Sequence, residues 1–212
     1  MIRFAALAPV AGVLLLGACS LPDPVSSIFS GRDSGQSPSE RRYEQLSRAG
    51  VPSVLAGVEN EEGRFAAFLK LQERNGIGTW VSPDNVSLSL WNGFLVATRG
   101  LGGDIMSADV GEVQAAILFG FPGYYPRFQS YLDGENQTVI RSFVCKVSSR
   151  GTRQVDLGPF TATTRLMEED CKSSDQSFVN LYWVDEGTGE VRQSRQWASP
   201  LLGPIALRQI PR

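Results

Sequence analysis

The chain has 212 residues, with 20 Lys plus Arg against 22 Asp plus Glu and no histidine. A net charge of −2, with lysine only at positions 70, 146 and 172, argues against a nucleic-acid partner. The lack of histidine excludes Ser-His-Asp and Cys-His catalysis and removes the commonest transition-metal ligand, so no metal or other cofactor is expected. Carboxylate-only catalysis remains open.

The N-terminus places Arg3 before an apolar run, Phe4 to Leu16, that closes on Leu16-Gly17-Ala18-Cys19. A positive start, an apolar middle and small residues at the cut make a secretory signal peptide. The cysteine directly after Leu-Gly-Ala makes it a lipobox. Residues 1–18 are expected to be removed, and Cys19 to carry a diacylglyceryl group and an acylated (palmitate-type) amine. The apolar run is too short to span a bilayer, whereas two or more acyl chains anchor stably. Ser20, rather than Asp, favours the outer membrane. Residues 19–38 are rich in Ser, Pro, Gly and Asp and read as a lipidated flexible tether. Residues 39–212 then form a single β-rich domain.

Within that domain, 39–48 reads as a short helix, with Ser39 as N-cap and Gly50 as stop. Its Arg41 and Arg42 suit a solvated face, or lipid headgroups. From Arg64 a β meander begins. Asn75-Gly76 is a type I′ turn signal that sets Leu71 opposite Trp80 and Leu69 opposite Ser82. Phe65, Phe68, Leu69 and Gln72 also fit a helix over 62–73, but the turn and the following strand favour β. Val86, Leu88 and Leu90 alternate with Ser87, Ser89 and Trp91 before Asn92-Gly93 reverses the chain. That turn puts Leu90 by Leu95 and Leu88 by Ala97, with Phe94, Val96 and Thr98 on the other face. A short helix over 109–118 and a Pro- and aromatic-rich loop over 121–128 follow. Strands are expected over 138–149, with Val139, Phe143, Cys145 and Val147 on one face, and over 159–171. A hairpin over 178–197 turns near Gly187-Thr188, and Gly203 to Ile210 makes a last strand. The pattern predicts a mainly β chain: an antiparallel barrel-like or sandwich domain with one or two short helices.

With Cys19 given to lipid, Cys145 and Cys171 are an even pair in an oxidising compartment, so a disulfide is expected. The alternative, a redox pair, lacks a Cys-x-x-Cys motif. The hairpin 178–197 is the most site-like element. A symmetric turn puts Asn180 opposite Arg195, Phe178 opposite Trp197 and Tyr182 opposite Gln193. Such a face can hold a sugar chain, with rings stacked on pyranose and amides on hydroxyls. It can equally be an interior layer with Arg195 bonded to backbone or carboxylate. The acid clusters Glu59, Glu61, Glu62 and Glu168, Glu169, Asp170 can support glycoside chemistry if two of them face one groove, but read more simply as solvated surface. Gly100-x-Gly102-Gly103 lacks the Lys-Ser/Thr of a phosphate loop and reads as a turn.

The lipobox, "TWVSPDNVSLSLWNGFLVATRGLGGDI" and "FVNLYWVDEGTGEVRQSRQWASPLLGPI", with a cysteine ahead of the last, resemble the YjbF/GfcB family of lipoproteins. The likeness spans about residues 64–212, and its C-terminal segment is the more specific. One departure is Phe94, where the family usually has Arg. The resemblance marks Asn180, Tyr182, Trp183, Ser194, Arg195, Gln196 and Trp197 as signature residues, either binding or structural. It implies a periplasm-facing β-barrel-like domain on an outer-membrane anchor. It also implies a role in exopolysaccharide or group 4 capsule production or export, beside polysaccharide and export-system proteins. The absence of histidine and of any nucleophile–base pair makes a non-enzymatic accessory or assembly role the expectation. Two rival readings stand beside it. One is a carbohydrate-active enzyme with two facing carboxylates. The other is a lipid or lipoprotein carrier with a dry barrel cavity.

Overall fold

A computed structural model describes residues 25, 37–60, 65–158 and 160–210. Cys19, the cleavage point and most of the expected tether lie outside the described residues, as do Glu61 and Glu62. The chain opens with helix α1 (Pro38–Arg48) and continues through strands β1 (Ser53–Val58), β2 (Phe65–Arg74), β3 (Ile77–Val81), β4 (Ser87–Trp91), β5 (Phe94–Arg99) and β6 (Ser107–Asp109). Helix α2 (Gly111–Phe119) precedes β7 (Gly123–Leu132), β8 (Thr138–Asp156), β9 (Thr161–Lys172), β10 (Ser177–Asp185), β11 (Val191–Ser199) and β12 (Gly203–Gln209). All pairings are antiparallel, and the twelve strands form one sheet in the order β5-β4-β3-β2-β1-β12-β11-β10-β9-β8-β7-β6. The outer strands approach each other: Thr98 N donates to Ile105 O at 3.0 Å, and the Arg99 guanidinium donates to the same oxygen at 2.9 Å. The result is a nearly closed barrel, which leaves little free edge to pair with other chains. Among the described residues no helix is long and apolar enough to cross a membrane.

Helix α1 starts one turn signal earlier than expected. Its N-cap is Ser37, not Ser39, because Ser37 has Pro at N1 and Glu40 at N3. Glu40 N donates to Ser37 Oγ at 3.1 Å, and Ser37 N donates to Glu40 Oε2 at 2.7 Å, completing a capping box. The Ser39 hydroxyl instead donates to Phe65 O at 2.8 Å. Helix α1 lays Tyr43 and Leu46 over Leu55, Ala67, Ala206 and the β8–β9 tip around Val155 and Ala162. Strand β1 is therefore buried on both faces, which is why its run Ser-Val-Leu-Ala-Gly-Val shows no alternation and was not anticipated as a strand.

Both Asn-Gly turns form as expected, with left-handed Asn75, Gly76, Asn92 and Gly93. Residue 71 is nevertheless a bulge, so Lys70 faces Trp80 and Leu69 faces Val81, and Leu71 points to solvent. Leu90 does pair with Leu95, but a bulge beyond it sets Leu88 opposite Thr98 rather than Ala97. The expected loop over 121–128 is largely strand β7. Pro126 is tolerated because β6 flanks only Phe128 to Ser130, so the strand has a single neighbour at the proline. Helix α2 pushes Val113, Ala116 and Ile117 against Phe94, Val184 and Val191, filling one end of the barrel. Phe68, Leu88, Leu95 and Leu207 fill the other part of the interior. Cys145 and Cys171 sit directly opposite on β8 and β9 with Cα atoms 3.9 Å apart, and are joined as a disulfide.

Candidate functional site: a buried polar network

The β10–β11 hairpin does not turn symmetrically about Gly187-Thr188. Asp185 Oδ1 accepts from Gly187 N and Thr188 N, both at 2.9 Å, and Gly189 N closes back on Asp185 O at 2.9 Å. An extra residue, Arg192, is then accommodated as a bulge, so Leu181 faces Arg195, Tyr182 faces Ser194 and Trp183 faces Gln193. A one-residue slip exchanges the faces of a strand. The expected pairing of Asn180 with Arg195 is therefore corrected. Asn180, Tyr182, Ser194 and Gln196 point into the barrel, whereas Arg195 lies on the outer wall, where its Nε donates to Glu59 Oε2 at 2.7 Å and its Nη1 to Val179 O at 2.9 Å. Trp183 packs outward with the residues beneath α1. Trp197, beside a second bulge, stacks on Phe178 with ring centres 5.5 Å apart.

Arg192 is spent on its own turn: Nε donates to Asp185 Oδ2 at 2.9 Å and Nη1 to Glu190 Oε2 at 2.8 Å. Burial alone would raise the Asp185 carboxyl, but Arg192 and the two backbone N–H groups outweigh it and hold the group below the usual range.

At the centre of the barrel lies Glu169, fully buried. It accepts from Arg127 Nη1 at 3.2 Å, from Asn180 Nδ2 at 2.8 Å and from the Tyr182 hydroxyl at 2.9 Å. The expectation that Glu168, Glu169 and Asp170 form a solvated cluster thus fails for its middle member. Strand alternation turns Glu169 inward and leaves Glu168 with Arg150 and Asp170 with Lys172 outside. The three acids share no groove. Burial disfavours charge on Arg127, but Glu169 and Tyr182 more than compensate and strengthen its hold on the proton. Burial, and then Glu169, push the Tyr182 phenol well up.

Gln196 extends the network across the barrel. Its Oε1 accepts from Leu95 N at 2.8 Å, and its Nε2 donates to Gly93 O at 2.7 Å and Ser194 Oγ at 2.8 Å. One side chain on β11 thereby clamps the start of β5. Phe94 is fully buried and stacks on Tyr182 at 4.4 Å. Asn180 Oδ1 accepts from Trp197 N at 2.6 Å. Five of the seven signature residues, Asn180, Tyr182, Ser194, Gln196 and Trp197, are thus brought together inside the barrel, while Arg195 and Trp183 are not. Arg127 and Gln129, also fully buried, escape the sequence reading, which takes 121–128 as a loop and assigns no element to 129; the period-two spacing of Tyr125, Arg127, Gln129 and Tyr131 is the available signal.

The glycine turn after β5 already holds an anion. Asp104 accepts from Gly100 N at 3.0 Å, Leu101 N at 3.3 Å and Thr98 Oγ1 at 2.7 Å, which occupies the N–H groups a phosphate would need. Open clefts lie at the two barrel ends. One, of 250 Å³, is walled by Glu73, Gln209 and Lys70, whose ammonium sits 5.0 Å from the Trp80 ring centre. The other, of 630 Å³, is walled by Arg99, Asn136, Arg141 and Leu201.

No curated protein matches the chain. A solved structure described as the hypothetical lipoprotein YmcC from Escherichia coli (K12) is similar, with TM-score 0.70 and 18% identity, covering 85% of this chain and 98% of that one. At that identity the likeness concerns the fold alone. Residues 24–210 match the family described as group 4 capsule polysaccharide lipoprotein gfcB, YjbF. With most of its length matched, the chain belongs to the YjbF family of capsule polysaccharide lipoproteins.

Proposed function

We propose that this chain is a lipid-anchored accessory factor for capsule or exopolysaccharide export, working from the periplasmic face of the outer membrane. The observation that carries the reading is the family match over residues 24–210. The lipobox ending at Cys19 supports the anchor, with residues 1–18 removed and 19–38 tethering the barrel. The interior supports a binding or scaffolding role over catalysis. Among the described residues the one fully buried carboxylate, Glu169, is already taken by Arg127, Asn180 and Tyr182. On this reading the inward signature residues hold the barrel in shape, and polymer or export proteins meet its ends and outer wall. A carrier for lipid is less well supported, since the barrel is filled by α2 and by this polar network.

The test is total secreted and cell-attached polysaccharide in a deletion strain complemented by wild type or by Cys19→Ala. Loss of polymer that only the lipidated form restores is the expected result. Unchanged polymer in the deletion strain overturns the export role.

A further inference from the structure

The outer face of β7 and β8 departs from the pattern of the rest of the wall. Outward positions on a solvated sheet are normally polar. Here Tyr124, Pro126, Phe128 and Leu132 on β7 adjoin Ile140 and Val144 on β8, with Pro126 directly opposite Val144. Tyr124 and Ile140 are each 71% exposed and Val144 59%. Farther along β8 the exposed positions turn polar, at Arg150, Thr152 and Gln154, so the apolar character is local to the stretch paired with β7. Phe119 and Phe121, both exposed and with their rings 6.2 Å apart, precede β7 in the segment that leads into Tyr124.

Two of the chain's three lysines border this wall on the same face. Lys146 is opposite Tyr124, and Lys172 is opposite Val144. Lys146, opposite Asp170 on β9, makes no ion pair among the described residues, and Lys172, 68% exposed, is paired with Asp170 at 3.2 Å, so the two lysines leave one net positive charge at this rim. Apolar side chains, rings with a polar tip and a lysine rim are what the interface of a leaflet accepts: stems among acyl chains, ammonium groups at phosphate. We propose that the β7–β8 wall rests on the lipid leaflet to which the chain is anchored. This inference rests on the lipidation of Cys19 put forward above.

The tether allows it. Helix α1 lies over β1, and β7 is six strands farther round the sheet, roughly 29 Å at about 4.8 Å per strand. The eighteen residue-to-residue steps from Cys19 to Ser37 reach about 60 Å when extended, enough to bring anchor and wall to one leaflet. Anchoring also raises the local concentration of wall and lipid, so a modest patch suffices to set orientation.

The test uses the lipidated protein, purified from membranes and reconstituted in vesicles of phosphatidylethanolamine and phosphatidylglycerol with brominated acyl chains. Tyr124→Trp places a reporter on the wall, Ile140→Trp gives an independent one, and Leu71→Trp places a control on exposed β2. The mass of the N-terminal peptide reports lipidation. At least about twofold stronger quenching at 124 and 140 than at 71 is expected, as contact quenching by bromine requires the ring to lie in the interface. Lipidated protein that floats with the vesicles but shows equal or no quenching overturns the seating alone. A blue shift at 124 that grows with protein concentration, without quenching, assigns the wall to a second copy instead. Protein that carries no lipid and stays off the vesicles overturns both the anchor and the seating.

Discussion

Arg127→Met removes the cation that neutralises Glu169 in the middle of the barrel. Both side chains are fully buried, and the carboxylate keeps only Asn180 and the Tyr182 hydroxyl as donors. Removing one partner of a buried pair strands the other charge and costs about 3–5 kcal/mol. Against a typical total of about 5–15 kcal/mol, this is a large fraction. For a chain of this size each kcal/mol moves Tm by about 2–4 °C, so a fall of roughly 6–20 °C is expected. Glu169→Gln strands Arg127 instead and costs a similar amount. The double variant strands neither charge, so its loss is smaller than the sum of the single losses by about 2 kcal/mol or more. Urea unfolding at neutral pH without reductant, followed by the fluorescence of buried Trp183 and half-buried Trp197, measures all three. Single variants that lose less than about 1 kcal/mol, or a double variant that loses the full sum, refute the coupling.

Three further outcomes follow from the same packing. Replacing both Cys145 and Cys171 by Ser opens a loop of 26 residues and costs about 3.5 kcal/mol on the chain-entropy view, read as a lower urea midpoint; an unchanged midpoint contradicts it. Burial lifts the Tyr131 phenol to about 12, and burial together with Glu169 lifts Tyr182 further. The folded chain therefore keeps protons that the unfolded chain releases near pH 10. Stability from this source is full below about pH 10 and declines as pH rises toward about 12, and at about pH 10 to 11 most phenolate absorbance from these rings comes from unfolded chains. Phenolate formation at these sites at about pH 10 in a still-folded protein contradicts it. Gly93→Ala adds a Cβ 2.7 Å from Gln209 Nε2 and from Val191 Cβ at φ +88, whereas Gly102→Ala meets open space at φ +90. Both pay the left-handed penalty of about 1 kcal/mol, and only Gly93→Ala loses substantially more in thermal melts; equal losses show that the turn simply shifts.

Much of the fold is legible in local chemistry. Asn-Gly turns, period-two alternation and the Ser-Pro-Ser-Glu cap each act over a few residues, and each forms where such rules operate, with the cap at Ser37 rather than Ser39. What escaped reading shares a physical cause. The bulges at Leu71, beyond Leu90 and at Arg192 insert one residue each without any local signature, and each exchanges or displaces the faces that follow. That is why Arg195 was expected beside Asn180 and is found on the outside. Strand β1 was hidden because α1 covers its outer face, and β7 because Pro126 and its aromatics resemble loop composition until β8 pairs with them.

The sequence alone determined that this is an antiparallel β chain with a Cys145–Cys171 bridge, and it carries the segments that mark a YjbF-family lipoprotein. Tertiary structure decided which polar residues were inside. Glu169 is identical in type to its neighbour Glu168 and sits one position along the same strand, yet it is the buried hub while Glu168 is held outside by Arg150. The strand registers set Asn180 of β10 directly opposite Glu169 and bring Arg127 within reach from two strands away on β7, and closure of the sheet sets Gln196 of β11 against Gly93 and Leu95 and Tyr182 of β10 against Phe94 of β5. A buried charge is tolerable only where such distant partners converge, and that convergence is a property of the barrel, not of any stretch of chain.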